Sequence, residues 1–224
     1  MNSTPPPTQI TEAETFILES LSLEDEKAGR MDGKILYDTL KLHGKNPIYY
    51  YFRTQAELVK LAEIFRNSGY RYLHMSCHGD DQNVAFTFSS SSYETFAKIF
   101  EGKLNNRRIF VSGCYLGNKA FATALFEKNG GMYSLTAPRK KVTFDQTVAF
   151  WSAFYYLMHA HDLTAMKKPQ ITGALSQLGE IFELPVGHYF KNTGKQGAVD
   201  ESVFGEGNGS QTGALAKEIE PANG

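Results

Sequence analysis

Apolar residues in this chain recur in two rhythms that take turns along its length. In "QAELVKLAEIFRNSG" Leu58, Leu61, Ala62 and Phe65 share one helical stripe, with Gly69 placed to stop the helix. "SYETFAKIF" does the same with Tyr93, Phe96, Ala97 and Phe100, and Ser91 with Glu94 has capping-box spacing. "NKAFATALFEKNGG" predicts a helix closed by glycines, and "FDQTVAFWSAFYYLMHAHD" a long one with Val148, Trp151, Tyr155 and Met158 facing inward. "ITGALSQLGEIF" predicts another near the end. Between them, short apolar runs over residues 47–52, 70–77 and 131–137, together with "RRIFVSGC", predict strands, and "NVAFTFS" a short hairpin arm.

Strand and helix alternating in this way predict an α/β fold with a mostly parallel central sheet and helices on both faces. The unbroken apolar run in "RIFV" suits a strand buried on both sides. Residues 1–14 are polar and proline-rich and read as a flexible segment, 15–190 as one domain, and 191–224 as a flexible glycine-rich tail. With 224 residues and a formal net charge of −1, nothing in the charge balance argues for nucleic acid as a partner. No run is long and apolar enough for a membrane span, and the N-terminus lacks the pattern of a secretory signal. A cytoplasmic location is therefore expected, with both cysteines as free thiols.

Those thiols have to be explained by packing or by chemistry. "HMSCHGDD" ends one predicted strand in His78-Gly79, and "IFVSGCYLG" ends the next in Gly113-Cys114, 36 residues on (114 − 78). Consecutive strands are usually neighbours, and α/β sheets bind ligands beyond the carboxyl ends of their strands. That arrangement sets an imidazole beside a thiol. An ordinary thiol titrates near about pH 8.5, so a neighbouring imidazole is useful as proton acceptor and, later, as proton donor to a departing amine. Gly79 permits a sharp turn and an unobstructed N–H; with the amide of Cys114 it could hold a developing oxyanion. Strand alternation points Cys77 the other way, with Leu73 and Met75, which reads as packing and disfavours a Cys77–Cys114 redox pair. His74 shares the face of His78, as a core histidine or as a partner of the site. A metal held by His74, His78 and Cys114 lacks the usual ligand spacing, and no cofactor is expected. His159 and His161 suit the negative end of a helix dipole, and Arg139 to Lys141 a solvated loop.

"LHMSCHGD", "IFVSGCYLG" and "SLTAPRKKVTFDQTVAFWSAFYYLMHA", in that order, resemble the caspase-like (clan CD) cysteine peptidases, and more closely their prokaryotic CHAT branch. The resemblance covers roughly residues 49–184. It implies a caspase-type fold, a His78–Cys114 dyad, an oxyanion hole from the Gly79 and Cys114 amides, and an endopeptidase acting on protein or peptide substrates. It also implies a regulated effector in a prokaryotic stress or antiviral programme, with control from a separate protein partner, from processing or from the loose ends. Clan members that prefer a basic residue before the scissile bond often carry an acid two positions ahead of the cysteine. Here that position is Ser112, leaving Asp80, Asp81 or Asp145 as candidate pocket acids, although an acid in a helix's first turn, as at Asp145, is ordinary. The alternative is a caspase-like fold that no longer cuts and serves as an interaction module.

Overall fold

The structure, a computed structural model, describes residues 11–162, 164–191 and 199–206. Its elements in chain order are β1 (Glu12–Ser20), α1 (Leu23–Lys27), α2 (Asp32–Leu42), β2 (Ile48–Tyr51), α3 (Gln55–Ser68) and β3 (Tyr70–Gly79). Then come β4 (Asn83–Ala85), β5 (Ser90–Ser92), α4 (Tyr93–Ile99), β6 (Arg108–Val111), α5 (Lys119–Lys128) and β7 (Ser134–Pro138). The last are α6 (Phe144–His161), α7 (Lys168–Ile181), β8 (Val186–Lys191) and β9 (Val199–Phe204).

The main sheet runs β2-β1-β3-β6-β7-β8-β9, with β4 and β5 forming an antiparallel arm off the end of β3. Strands β2, β1, β3, β6 and β7 are parallel to one another, and β8 and β9 close the edge antiparallel. Alternation along β3 divides the core as the pleat requires. Leu73, Met75 and Cys77 face one cluster, with Leu58, Leu61 and Phe65 of α3, Phe96 of α4 and Phe121 of α5. Tyr72 faces the other, with Leu36 of α2, Phe110 of β6, Trp151 and Tyr155 of α6 and Leu175 of α7. Helix α3 begins with a capping box in which Thr54 accepts from the Glu57 N–H and the Glu57 carboxylate accepts from the Thr54 N–H; it ends at Gly69 with φ 74°.

Three expectations change. The capping serine of α4 is Ser92, whose hydroxyl accepts from the Thr95 N–H at 3.3 Å; Ser91 lies in β5 and donates to Gln55. Strand β1 begins inside the segment read as an N-terminal arm, and β9 pairs with β8 inside the stretch read as a tail. The rest of both stretches lies mostly outside the described residues. No helix among the described residues is long and apolar enough to cross a membrane.

Candidate active site

The β3–β6 pairing brings the two motif ends together. Met75 pairs with Val111, and the Ser112 N–H reaches the Met75 carbonyl at 2.8 Å. His78 and Cys114 each lie three residues beyond that pair (78 − 75 and 114 − 111), at adjacent carboxyl ends of parallel strands. The backbones approach so closely that a Cβ on Gly79 would stand 2.9 Å from the Cys114 carbonyl oxygen and 2.6 Å from Leu116 Cγ. A Cβ on Gly113 would meet Leu116 Cδ1 at 2.5 Å and the Cys77 carbonyl oxygen at 3.0 Å. Both positions are glycine because nothing larger fits. Gly79→Ala is therefore expected to lower stability by about 1–3 kcal/mol, as overpacking does, and to displace the Cys114 turn; urea unfolding reads the first effect and thiol labelling the second.

Tyr115 completes the turn after Cys114 at φ 60°, a left-handed conformation costing a non-glycine residue roughly 1–2 kcal/mol. Its N–H is held by the Lys140 carbonyl at 3.3 Å. The Cys114 thiol is half-buried, with Sγ 3.4 Å from the Val142 N–H, which donates to it. Cys77 is buried among Leu73 and Met75, and burial pushes its thiol well up from the ordinary range.

His78 is half-exposed, its ring edge-to-face with Phe144 at 5.9 Å. Its Nε2 lies 2.8 Å from Oδ2 of Asp25, a residue from the short helix α1. Burial would raise the Asp25 carboxyl, but hydrogen bonds from Ser22, His78 and Arg30 outweigh it and hold the group below the usual carboxylate range. Asp25 is thus an anion that accepts a hydrogen bond from Nε2–H, which leaves Nδ1 as the ring's free basic nitrogen. Ser22 caps α1, and its hydroxyl donates to Asp25 at 2.5 Å, so the cap that starts the helix also aims the carboxylate.

A narrow cleft of about 30 Å³ is lined by His78, Cys114, Ser112, Asp32, Val142 and Phe144, with Cys77 and Thr147 at its wall. Asp32, the first residue of α2, is buried and hydrogen-bonded to the Ser76 hydroxyl at 2.5 Å. Behind it, Glu19 of β1 is fully buried. Among the described residues, no lysine or arginine forms an ion pair with either acid. A larger hollow of about 500 Å³, lined among others by Lys119, Phe126 and Lys191, contains neither cysteine nor histidine and shares no residue with this cleft.

Of the expected pocket residues, Ser112 lines the cleft and shares its hydroxyl with His74 Nε2 at 2.8 Å. Asp80 and Asp145 do not line it. The Asp80 carboxylate is used by a turn, accepting from the Gln82 and Asn83 N–H groups at 2.8 and 2.6 Å. Asp145 is exposed in the first turn of α6, and Asp81 is exposed on the loop after β3. His74 is a satisfied core histidine, with Nδ1 3.2 Å from the Tyr155 hydroxyl, and burial lowers its pKa to about 3. His159, expected to be charged against the helix dipole, is buried, and burial lowers its pKa to about 4, so it is neutral near pH 7. Sequence reasoning missed Asp25, Asp32 and Glu19. Ser22-Leu23-Glu24-Asp25 carries the one available signal, a serine three residues ahead of an acid at a helix start.

No family model matches the chain, and no curated protein matches it in sequence. Solved structures do. A secreted C11 cysteine protease from Bacteroides thetaiotaomicron ("iotapain") is 12% identical with a TM-score of 0.48, over 80% of this chain and 66% of its own. The Arg-specific cysteine proteinase gingipain R is 14% identical with a TM-score of 0.50, over 76% of this chain and 42% of its own. A complex of the pro- and mature domains of the Porphyromonas gingivalis enzyme gives 14% and 0.49, over 75% of this chain and 43% of its own. The chain thus spans about two thirds of the first of these proteins and under half of the other two. At such identities the likeness speaks to architecture, and it rests on gingipain R together with the strand order described above. The chain has the caspase-like fold, a mostly parallel α/β sheet flanked by helices.

Proposed function

We propose that this chain is a cysteine endopeptidase working through Cys114 and His78. The observation that carries the reading is one cleft, at the carboxyl ends of two adjacent parallel strands, lined by a half-buried thiol and by an imidazole whose far nitrogen is held by a carboxylate. In this reading His78 Nδ1 takes the thiol proton and the sulfur attacks the scissile carbonyl. The Gly79 and Cys114 N–H groups receive the oxyanion. The imidazolium then protonates the leaving amine, and with that group gone it accepts a proton from the water that hydrolyses the thioester. Asp25 holds the ring in the productive tautomer and stabilises its charged form.

The cleft also suggests a preference. Asp32 and Glu19 are buried acids with no ion-paired cation among the described residues, so a lysine or arginine before the scissile bond would supply the missing charge. The position two residues ahead of the cysteine is only Ser112, and Asp32 takes the place of an acid there. A positional peptide library tests both parts. Cleavage after arginine or lysine, lost with an electrophilic peptide bound to Cys114, is the expected result. No cleavage of any member, with Cys114 unmodified by such peptides, would overturn the peptidase reading. The CHAT assignment, the separate regulatory protein and the stress or antiviral role rest on the motif resemblance and extend the proposal. Copurification of the tagged protein with products of neighbouring genes tests them.

A further inference from the structure

Behind the cleft, two carboxyl groups meet across one hydroxyl. Ser76 Oγ lies 2.5 Å from Asp32 Oδ1 and 3.1 Å from Glu19 Oε1. A serine hydroxyl has one hydrogen and can donate to only one of them. The second contact needs a hydrogen from the other carboxyl group, so the arrangement is satisfied when the pair carries one proton.

The neighbours serve both acids. Glu19 Oε1 accepts from the Gly33 N–H at 2.8 Å, and Oε2 from the Lys34 N–H at 3.2 Å and the Tyr49 hydroxyl at 2.7 Å. Helix α2 has no side-chain cap of its own, since Met31 stands at its N-cap; Glu19 reaches across from β1 to serve its first turn. Gly33 makes room for it, because a Cβ there would lie 3.1 Å from the Glu19 carboxyl carbon. Asp32 has donors too: it opens the same helix, and Ser76, Ser112 and Thr147 hydrogen-bond to it and favour its charged form against burial. One proton held between the two carboxyl groups, with Ser76 bridging them, satisfies both contacts of that hydroxyl.

Among the described residues, no cation is paired with either acid. Lys34 turns its Nζ outward to Asp38, His78 is engaged by Asp25, and the buried His74 is neutral. Tyr49 from β2 and Tyr155 from α6 are neutral phenols held well above their ordinary range by burial, and the buried Cys77 is a neutral thiol. Burial raises both acids, Glu19 to about 7 with the nearby Asp32 adding to the effect.

We propose that Glu19 and Asp32 share one proton while the cleft is empty, and that a guanidinium or ammonium side chain entering the cleft displaces it. This rests on the peptidase reading and deepens it. The O–H bond of the shared acid breaks, its proton passes to solvent, and the Asp32 carboxylate pairs with the incoming cation. Glu19 touches no substrate; it is a positioning residue whose carboxyl, set against that of Asp32, keeps one proton on the pair until a cation arrives. Basic substrates then bind more tightly as pH rises through neutrality, and neutral ones do not.

The test uses Cys114→Ala protein, a peptide with arginine before the scissile bond, and the same peptide with citrulline. Calorimetry below pH 7 in buffers of different ionisation enthalpy counts protons. About one proton released per arginine peptide bound, with none for citrulline, is the expected result. Arginine peptide bound without proton release overturns the inference and leaves the peptidase reading standing. No preference for arginine over citrulline removes the basic-residue preference and this inference with it. Infrared difference spectra of the unliganded protein supply a second readout, independent of substrate. A protonated-carboxyl band near neutral pH, lost in Asp32→Asn, supports the shared proton, and its absence from the wild type contradicts it. Stability gives the fold control. Because folding raises the Glu19 pKa from 4.5 to about 7, the wild type loses stability as pH rises through that window, while Asp32→Asn shows a flatter profile.

Discussion

Cys114→Ala is expected to lower kcat for peptide cleavage by on the order of 10⁶-fold, as loss of a nucleophile does in hydrolases that act through a covalent intermediate. The reason is local. Cys114 sits in a turn fixed on both sides, by the Gly79 and Gly113 contacts before it and by the Tyr115 N–H to Lys140 bond after it. Removing the sulfur deletes the attacking atom and leaves the turn in place, so the variant is expected to unfold at the same denaturant concentration within a few tenths molar. His78→Ala should approach the same floor, and the double variant should be no worse than either single one, because thiol and imidazole act as a unit. Full cleavage by Cys114→Ala would mean that some other group attacks. A progressive loss summing over the two variants would mean that the groups act separately.

The second large effect belongs to a residue that does not line the cleft. Asp25→Asn should cost about 10²–10⁴ in kcat, the range general acid–base catalysis supplies, with KM little changed. An asparagine can turn its amide toward Nε2 and donate to it. The ring proton then moves to Nδ1, the nitrogen that must accept from the thiol. A merely structural loss would leave the rate–pH profile in place. Here the profile should change shape, because the nitrogen that accepts the thiol proton is no longer the free one. Arg30→Ala is the control. It removes the ion pair to the other Asp25 oxygen, 3.1 Å away, but the Arg30 side chain is 58% exposed and the pair contributes only about 0–1 kcal/mol. Equal losses in the two variants would show that Asp25 serves α1 and not His78.

What the chain reveals before folding depends on how locally each part is written. Helices α3 to α7 and strands β3, β6 and β7 are legible because their apolar residues repeat within a few positions of one another. Strand β1 is not: only Phe16, Ile17 and Leu18 form a continuous run, between acids at Glu14 and Glu19, yet it lies in the sheet between β2 and β3. Strand β9 looks like tail for the same reason, with Asp200 and Glu201 in its middle; pairing with β8 makes it a strand. The site divides in the same manner. His78, Gly79, Ser112 and Cys114 announce themselves because each ends an apolar strand in a residue that packs poorly. Asp25, Asp32 and Glu19 come from a stretch without strong periodicity and reach the cleft through contacts spanning 44 to 57 positions (Asp32 to Ser76 and Glu19 to Ser76, with Asp25 to His78 spanning 53). Asp80, Asp81 and Asp145 attracted attention by lying near the motifs, and the turn and helix geometry around them explains their acids without a pocket.

The central claim is that His78 makes the Cys114 sulfur reactive, and alkylation tests it without any knowledge of the substrate. Native protein is treated with a limiting electrophile, and mass spectrometry locates and times the label in wild type and His78→Ala. Fast labelling of Cys114 alone is expected in the wild type, with a sharp slowing at Cys114 in His78→Ala and labelling of Cys77 only after unfolding. Equal rates at Cys77 and Cys114 in the folded protein, or a Cys114 rate indifferent to the loss of His78, would contradict it.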